Sequence, residues 1–272
     1  MEIKVLGTRQ GESSNSHFVS LLVDDVIALD AGNLTSALSL KEQSVVRHIL
    51  VTHRHYDHIK DLATFGFNSL GRGRTKIYCS SETREAIETT IFNTDIWLNF
   101  FTLPNPVSPT FIHVSVEPGS PFIIEGYNIL PLRVIHSVPA LAYAITSPNG
   151  GTLLYSGDSG VGSGSAWAAT KPDVLVVEIT FPDTLVDSAL SFGHLTPELL
   201  AGELNTFRDV QGYLPKIAAV HINPYYENEI VAGVANIARR LSVDISIPQE
   251  GAIITVGAES KANRRTRIDV IR

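Results

Sequence analysis

The sequence predicts an α/β protein built as a layered sandwich in one domain, with two sheets inside and helices outside. Three observations carry that expectation. Strand-length apolar runs alternate with helical segments in two successive halves, and no linker separates the halves. A chain of 272 residues with 44% hydrophobic and 18% charged residues can fill a substantial core.

The first half opens with short β-rich runs over 3–6, 17–23, 26–29, 48–51 and 76–79, punctuated by Gly, Ser, Asn and Asp. A capped helix is expected over 81–92, beginning Ser81-Glu82-Thr83-Arg84-Glu85. The aromatic segment Ile96-Trp97-Leu98-Asn99-Phe100-Phe101 and the proline-rich stretch 104–109 follow, so residues 81–110 read as an insertion. Further strands are expected over 111–116, 122–124, 128–134 and 142–146. Pro148-Asn149-Gly150-Gly151 then supplies a tight turn into 152–155, because Asn-Gly tolerates positive φ. Apolar runs at 173–177 and 217–220 alternate with helices over 197–207 and 227–240. The main domain is placed at 1–257, with a basic tail at 258–272 holding Lys261, Arg264, Arg265, Arg267 and Arg272. That tail reads as a solvated extension or edge strand, with a nucleic-acid arm as the alternative.

No apolar run approaches the roughly 20 residues a membrane helix requires, and the N-terminus reads as a strand without the profile of a secretory leader. A cytoplasmic location without membrane contact is expected. The only cysteine, Cys79, reads as a small buried residue. A net charge of −7 argues against broad contact with a phosphate backbone.

The feature that says most about chemistry is His53-Arg54-His55-Tyr56-Asp57-His58, entered from the apolar run Ile49-Leu50-Val51-Thr52. Three imidazoles and a carboxylate within six positions, directly after a buried strand, suit a borderline-soft divalent metal. Three more donors follow apolar runs of their own: His136 after 132–135, Asp158 after 152–155 and His221 after 217–220. A lone histidine at a strand end is more often a satisfied edge residue, but the hexamer reverses that weighting.

With this order of motifs, from Asp30 in Leu29-Asp30-Ala31-Gly32 to His221, the chain resembles a metallo-β-lactamase-fold hydrolase. The resemblance implies a four-layer αββα sandwich with two divalent metal ions along the sheet edge. It would give His53, His55 and His136 to one metal, Asp57, His58 and His221 to the other, and Asp158 to both, with Asp57 also in the catalytic set. Asp30 would order the ligand loop from behind. Zinc suits this donor set best, with manganese and iron as alternatives. Two metals about 3.5–4 Å apart can activate water at neutral pH and clamp the attacking and leaving oxygens of a phosphate ester.

In Ser191-Phe192-Gly193-His194-Leu195-Thr196-Pro197, Thr196 is a good N-cap and Pro197 a good first helical residue, so His194 stands just outside a helix. Resemblance to the phosphodiesterase members of the fold gives His194 the protonation of the leaving oxygen, oriented by Glu178. Ile91 to Trp97, Ile135 to Ala140, Ser191 to Pro197 and His221-Ile222-Asn223-Pro224-Tyr225-Tyr226 are most similar to class II cyclic nucleotide phosphodiesterases. Ala142-Tyr143 stands where that family has Gly-Tyr, and Ser159 follows Asp158 where Thr is commoner. The expected activity is hydrolysis of a 3′,5′-cyclic nucleotide.

A tRNA 3′-processing endonuclease is the alternative enzyme, and a non-catalytic di-iron sensor the alternative of another class. A tRNA processor needs a basic arm, yet residues 59–113 hold five basic and five acidic side chains. A small nucleotide partner, no stable nucleic acid and a homodimer are therefore expected. Phe92, Trp97, Phe100 and Phe101 are expected to pack the insertion onto the body or a second subunit, with stacking of a base as the alternative. Gly71-Arg72-Gly73-Arg74 reads as a surface turn.

Overall fold

The computed structural model describes residues 1–257 and the backbone of 268–269. Its strands are β1 (Glu2–Gly7), β2 (Ser20–Val23), β3 (Ile27–Leu29), β4 (His48–Leu50), β5 (Thr75–Cys79), β6 (Phe111–Ser115), β7 (Phe122–Ile124), β8 (Tyr127–Val134), β9 (Ala140–Thr146), β10 (Thr152–Tyr155), β11 (Val174–Glu178), β12 (Lys216–Val220), β13 (Ile245–Ser246), β14 (Ile253–Thr255) and β15 (Ile268–Asp269). One sheet has the order β15-β14-β1-β2-β3-β4-β5-β6 and the other β13-β12-β11-β10-β9-β8-β7. The tail's basic residues, Lys261, Arg264, Arg265, Arg267 and Arg272, lie outside the described residues.

Side chains alternate between the two faces of each strand, as a two-sheet sandwich demands. Ile3, Leu21, Ile27 and Leu50 from the first sheet meet Ile129, Tyr143, Leu153, Val174 and Val220 from the second in one central core. The opposite faces are also covered, so Val174-Leu175-Val176-Val177 is buried throughout. Leu154, Leu175, Val177 and Ala219 face α6 (Gly164–Ala168), α8 (Pro197–Gln211) and α9 (Glu227–Leu241). On the other side Ala28, Ile49 and Ile77 face α1 (Leu34–Ala37), α3 (Tyr56–Ile59), α4 (Leu62–Ser69) and α5 (Ser81–Thr90), while α2 (Leu40–Gln43) lies against α1 and α4. The last helix, α7 (Val186–Phe192), lies between β11 and α8.

Helix ends follow their chemistry. Ser80 caps α5 by accepting from the Thr83 amide, and Thr196 caps α8 by accepting from the Leu199 amide, with Pro197 at the first position. Helix α8 runs four residues beyond its expected end and stops at left-handed Gly212. The expected strand over 17–23 pairs as a ladder only from Ser20, because residues 8–18 leave the sheet to cross toward β12. Thr8 accepts from the Ile222 amide, Gln10 donates to the Ile222 carbonyl, and Arg9 holds Glu227 at 2.6 Å.

The insertion takes the packing role. Phe92, Phe100 and Phe101 are buried with Phe65 and Phe111, and the guanidinium of Arg84 lies 4.0 Å from the Phe101 ring centroid. Only Trp97 of the four stays exposed, its indole donating to the Ala63 carbonyl at 3.1 Å. No helix among the described residues is long and apolar enough to cross a membrane.

Candidate metal centre

Strands β3 to β6 run parallel, as do β10 to β13, so their C-terminal ends gather along one edge of the sandwich. Side chains leaving that edge converge on one crevice, as expected for open α/β sheets. Asp30 follows β3, His53 follows β4, His136 follows β8, Asp158 follows β10, Glu178 ends β11 and His221 follows β12. The structure thus brings together every residue singled out for the site, across both sheets.

Two donor groups share Asp158. His53, His55, His136 and Asp158 place one donor atom each within 4.8 Å of one another, and so do Asp57, His58, Asp158 and His221. Asp158 gives one oxygen to each group. Its Oδ2 lies 3.7 Å from His53 Nε2 and 3.8 Å from His136 Nε2, while Oδ1 lies 3.2 Å from His58 Nε2 and 3.5 Å from His221 Nε2. His55 Nδ1 stands 3.1 Å from His136 Nε2, and Asp57 Oδ2 stands 3.1 Å from His221 Nε2.

Residues behind the site decide which nitrogen of each ring points inward. Buried Asp30 accepts from His58 Nδ1 at 2.7 Å, the Thr52 amide at 2.7 Å, the Thr52 hydroxyl at 2.9 Å and the Tyr155 hydroxyl at 2.7 Å. The Thr52 hydroxyl, having donated its proton, accepts from His53 Nδ1 at 3.0 Å. His136 Nδ1 donates to the Gly193 carbonyl at 2.9 Å, and His221 Nδ1 to the Thr180 hydroxyl at 2.7 Å. Four Nε2 atoms are thereby left facing the crevice. Asp30 and His221 hold φ of 56° and 60°, left-handed values that cost non-glycine residues of order 1–3 kcal/mol. Their neighbours' hydrogen bonds maintain both.

The donor set fits a divalent cation. His53 Nε2, His58 Nε2 and Asp158 Oδ1 are buried without a hydrogen-bond partner, each a cost of about 1–3 kcal/mol that a coordinated ion would remove. Burial, with the charge of His58, holds His53 well below the usual imidazole range, and burial also lowers His55 and His136, so all three keep lone pairs for a ligand bond. Burial opposes charge on His58 too, but Asp158, Asp30 and Asp57 outweigh it and push that group well up. Burial likewise works against the Asp57 carboxylate, yet the charge of His58 and the contact with His221 bring it down to about 2. A cation at His58 Nε2 would take the place of a proton.

Beside these groups sits a third cluster of different character. Glu178, buried at the end of β11, accepts from His194 Nδ1 at 3.0 Å, the Leu195 amide at 3.0 Å and the Thr180 hydroxyl at 2.6 Å. Its oxygens are committed, so Glu178, His194 and His221 do not form a third ion site despite their proximity. Burial works against a charged His194, but the Glu178 carboxylate beside it and Asp158 behind it carry the group up to about 9. His194 is therefore protonated near neutral pH, with Nε2 left to give the proton.

Thr52, Tyr155, Thr180 and the Gly193 carbonyl belong to the site and were not picked out from the sequence. Thr52 and Thr180 flank singled-out residues, which is the one signal they offer; a buried tyrosine and a carbonyl offer none. A cleft of about 800 Å³ opens beside the imidazoles instead of over them, with Tyr56, Lys60 and Trp97 in its wall.

Comparison with known proteins agrees with this architecture. A 3′,5′-cyclic-nucleotide phosphodiesterase of Aliivibrio fischeri is 23% identical over 227 residues, covering 68% of each chain. Unliganded yeast PDE1 superposes with a TM-score of 0.76 at 16% identity over 94% of this chain and 99% of its own. Human tRNase Z, short form, superposes with a TM-score of 0.66 at 19% identity over 95% of this chain and 100% of its own. The Beta-lactamase superfamily domain matches residues 21–222, which span both donor groups and the Glu178–His194 pair, and the chain belongs to that superfamily.

Proposed function

We propose that this protein is a metal-dependent phosphodiesterase that opens a 3′,5′-cyclic nucleotide to the 5′-nucleotide. The observation that carries the reading is the Glu178–His194 pair, an imidazole held 3.0 Å from a buried carboxylate beside the two donor groups. A purely binding site has no need of a positioned proton donor. The Aliivibrio phosphodiesterase, as a distant relative, supports the substrate class.

His53, His55 and His136 would hold one divalent ion and Asp57, His58 and His221 the other, with Asp158 shared; imidazole with carboxylate suits zinc. Such ions supply polarisation of the phosphoryl oxygens and a water made nucleophilic at neutral pH. The chain's own residues do the rest. Asp30, Thr52, Thr180 and the Gly193 carbonyl lock the ring orientations, so the site needs no reorganisation when substrate arrives. Asp57 keeps its carboxylate ionised next to His221, ready to accept from the attacking water. His194 gives the Nε2 proton to the departing 3′-oxygen while Glu178 stabilises the ring at Nδ1 and keeps it aligned.

Metal analysis coupled to a turnover screen over cyclic mononucleotides, cyclic dinucleotides and precursor tRNA tests the proposal. Opening of a cyclic mononucleotide by metal-loaded protein is the expected result. Turnover confined to precursor tRNA would overturn the substrate class, and bound iron with no turnover of any ester would overturn the enzymatic reading.

A further inference from the structure

The position of the proton donor locates the group attached to the leaving oxygen, because that oxygen must come within hydrogen-bond reach of His194. Three rings surround His194. Those of His136, at 5.0 Å between centroids, and His221, at 5.4 Å, belong to the donor groups, so they face the phosphate. The third is Phe181, edge-on at 5.8 Å, and it belongs to neither donor group. Phe192 lies almost parallel to Phe181, with centroids 6.4 Å apart and planes 18° apart, and is 57% exposed. Ring contacts thus link His194 through Phe181 to Phe192, an exposed phenylalanine.

Local geometry fixes that last ring relative to the donor. Phe192 ends α7, and one residue, Gly193, separates it from His194. Gly193 has a φ of 73°, and a Cβ there would stand 2.9 Å from both His136 Cα and the Ser137 nitrogen. Its carbonyl also holds His136. No other residue type fits, so Phe192, the orientation of His136 and the donor His194 are set by one turn. Ile135, Val161 and Leu190 are likewise exposed.

We propose that the exposed Phe192 seats the base of the nucleotide substrate. The inference rests on the phosphodiesterase reading above and adds where the base lies. In a 3′,5′-cyclic diester the 3′-oxygen and the base are joined through one ribose, so an oxygen presented to His194 keeps the base one ribose away, and the Phe181–Phe192 pair begins beside that histidine. Every base has a π-face, so a phenylalanine shelf gives affinity for a base without choosing among them. Because the shelf is already placed, little ordering is required on binding.

The test compares adenosine 3′,5′-cyclic phosphate with methyl riboside 3′,5′-cyclic phosphate, which lacks the base, in wild-type protein, Phe192→Ala and Phe192→Tyr. In Phe192→Ala the preference in kcat/KM for the base-bearing ester should fall about tenfold, equivalent to about 1.4 kcal/mol, chiefly through KM. Phe192→Tyr should restore it. Saturation-transfer NMR with adenosine 5′-monophosphate should show contact to the base protons that Phe192→Ala loses. An unchanged preference together with unchanged NMR contacts would overturn the shelf alone, and loss of dimer in Phe192→Ala with an unchanged preference would give the face to a second copy of the chain. Wild-type protein that opens neither ester would overturn the phosphodiesterase reading, and the shelf with it.

Discussion

The two halves of the crevice are built in opposite ways. On the first sheet's side four donors come from six consecutive residues, and a single buried carboxylate, Asp30, receives His58 directly and His53 through Thr52. On the second sheet's side His136, Asp158, Glu178, His194 and His221 come from separate strand ends and loops, held by contacts between segments. Gly193 holds His136, Thr180 holds His221, and Glu203 of α8 grips the amides of Gly162 at 2.9 Å and Gly164 at 2.5 Å just beyond Asp158. The compact half gives two donors to each group, and one carboxylate orders them. The dispersed half needs the whole sandwich, and it carries His194, the proposed proton donor.

Substitutions should separate those roles. The largest effect is expected at Asp158, which serves both donor groups: Asp158→Ala should lose bound metal and turnover together, checked by elemental analysis beside kinetics. Retained metal and activity would break the shared assignment. Asp30→Ala strands His58 Nδ1, the Thr52 amide and hydroxyl and the Tyr155 hydroxyl in a buried site, so chemical denaturation should show a loss of about 3–5 kcal/mol. A comparable loss, about 3–5 kcal/mol, is expected for Phe100→Ala, because this ring is core and not a cover for the site; Trp97→Ala should leave stability nearly unchanged. Gly193→Ala tests the dispersed half, and metal titration should show affinity falling about 10–100-fold as His136 is displaced.

The smallest effect expected is a pH dependence of metal uptake. His58 is protonated in metal-free protein, its carboxylate neighbours holding it well above the ordinary imidazole range. A proton therefore competes with the cation, and apparent affinity should rise with pH until it passes that raised value. Calorimetry in buffers of differing ionisation heat should detect protons released on binding. No release at neutral pH would contradict the charge balance assigned to this side of the crevice.

The same asymmetry explains what was legible in the sequence. The hexamer is visible because its donors are contiguous and because an apolar strand leads into it. His136, Asp158 and His221 became readable only as strand ends, and Glu178 and His194 only through resemblance. Residues that act through a backbone carbonyl or a hydroxyl, Gly193, Thr180 and Thr52, leave no composition signal, since their role exists only once two loops touch. The layers were legible from alternation of strands and helices. Short helices were not: α1, α3 and α6 have four or five residues, too few to show a period, and Gly66 and Asn68 weaken the pattern of α4. The aromatic insertion could be read as a cover or as core, and burial of Phe92, Phe100 and Phe101 makes it core.

If His194 gives its proton to the leaving oxygen, its removal should leave metal capture intact. Turnover of His194→Ala should be measured on two esters, a cyclic nucleotide whose leaving alkoxide needs a proton and bis(p-nitrophenyl) phosphate whose leaving phenolate does not, with metal content recorded alongside. Expected are intact metal binding, a loss of about 10²–10⁴-fold on the cyclic nucleotide and a much smaller loss on the aryl ester. Equal losses on both esters with metal retained would contradict that role for His194.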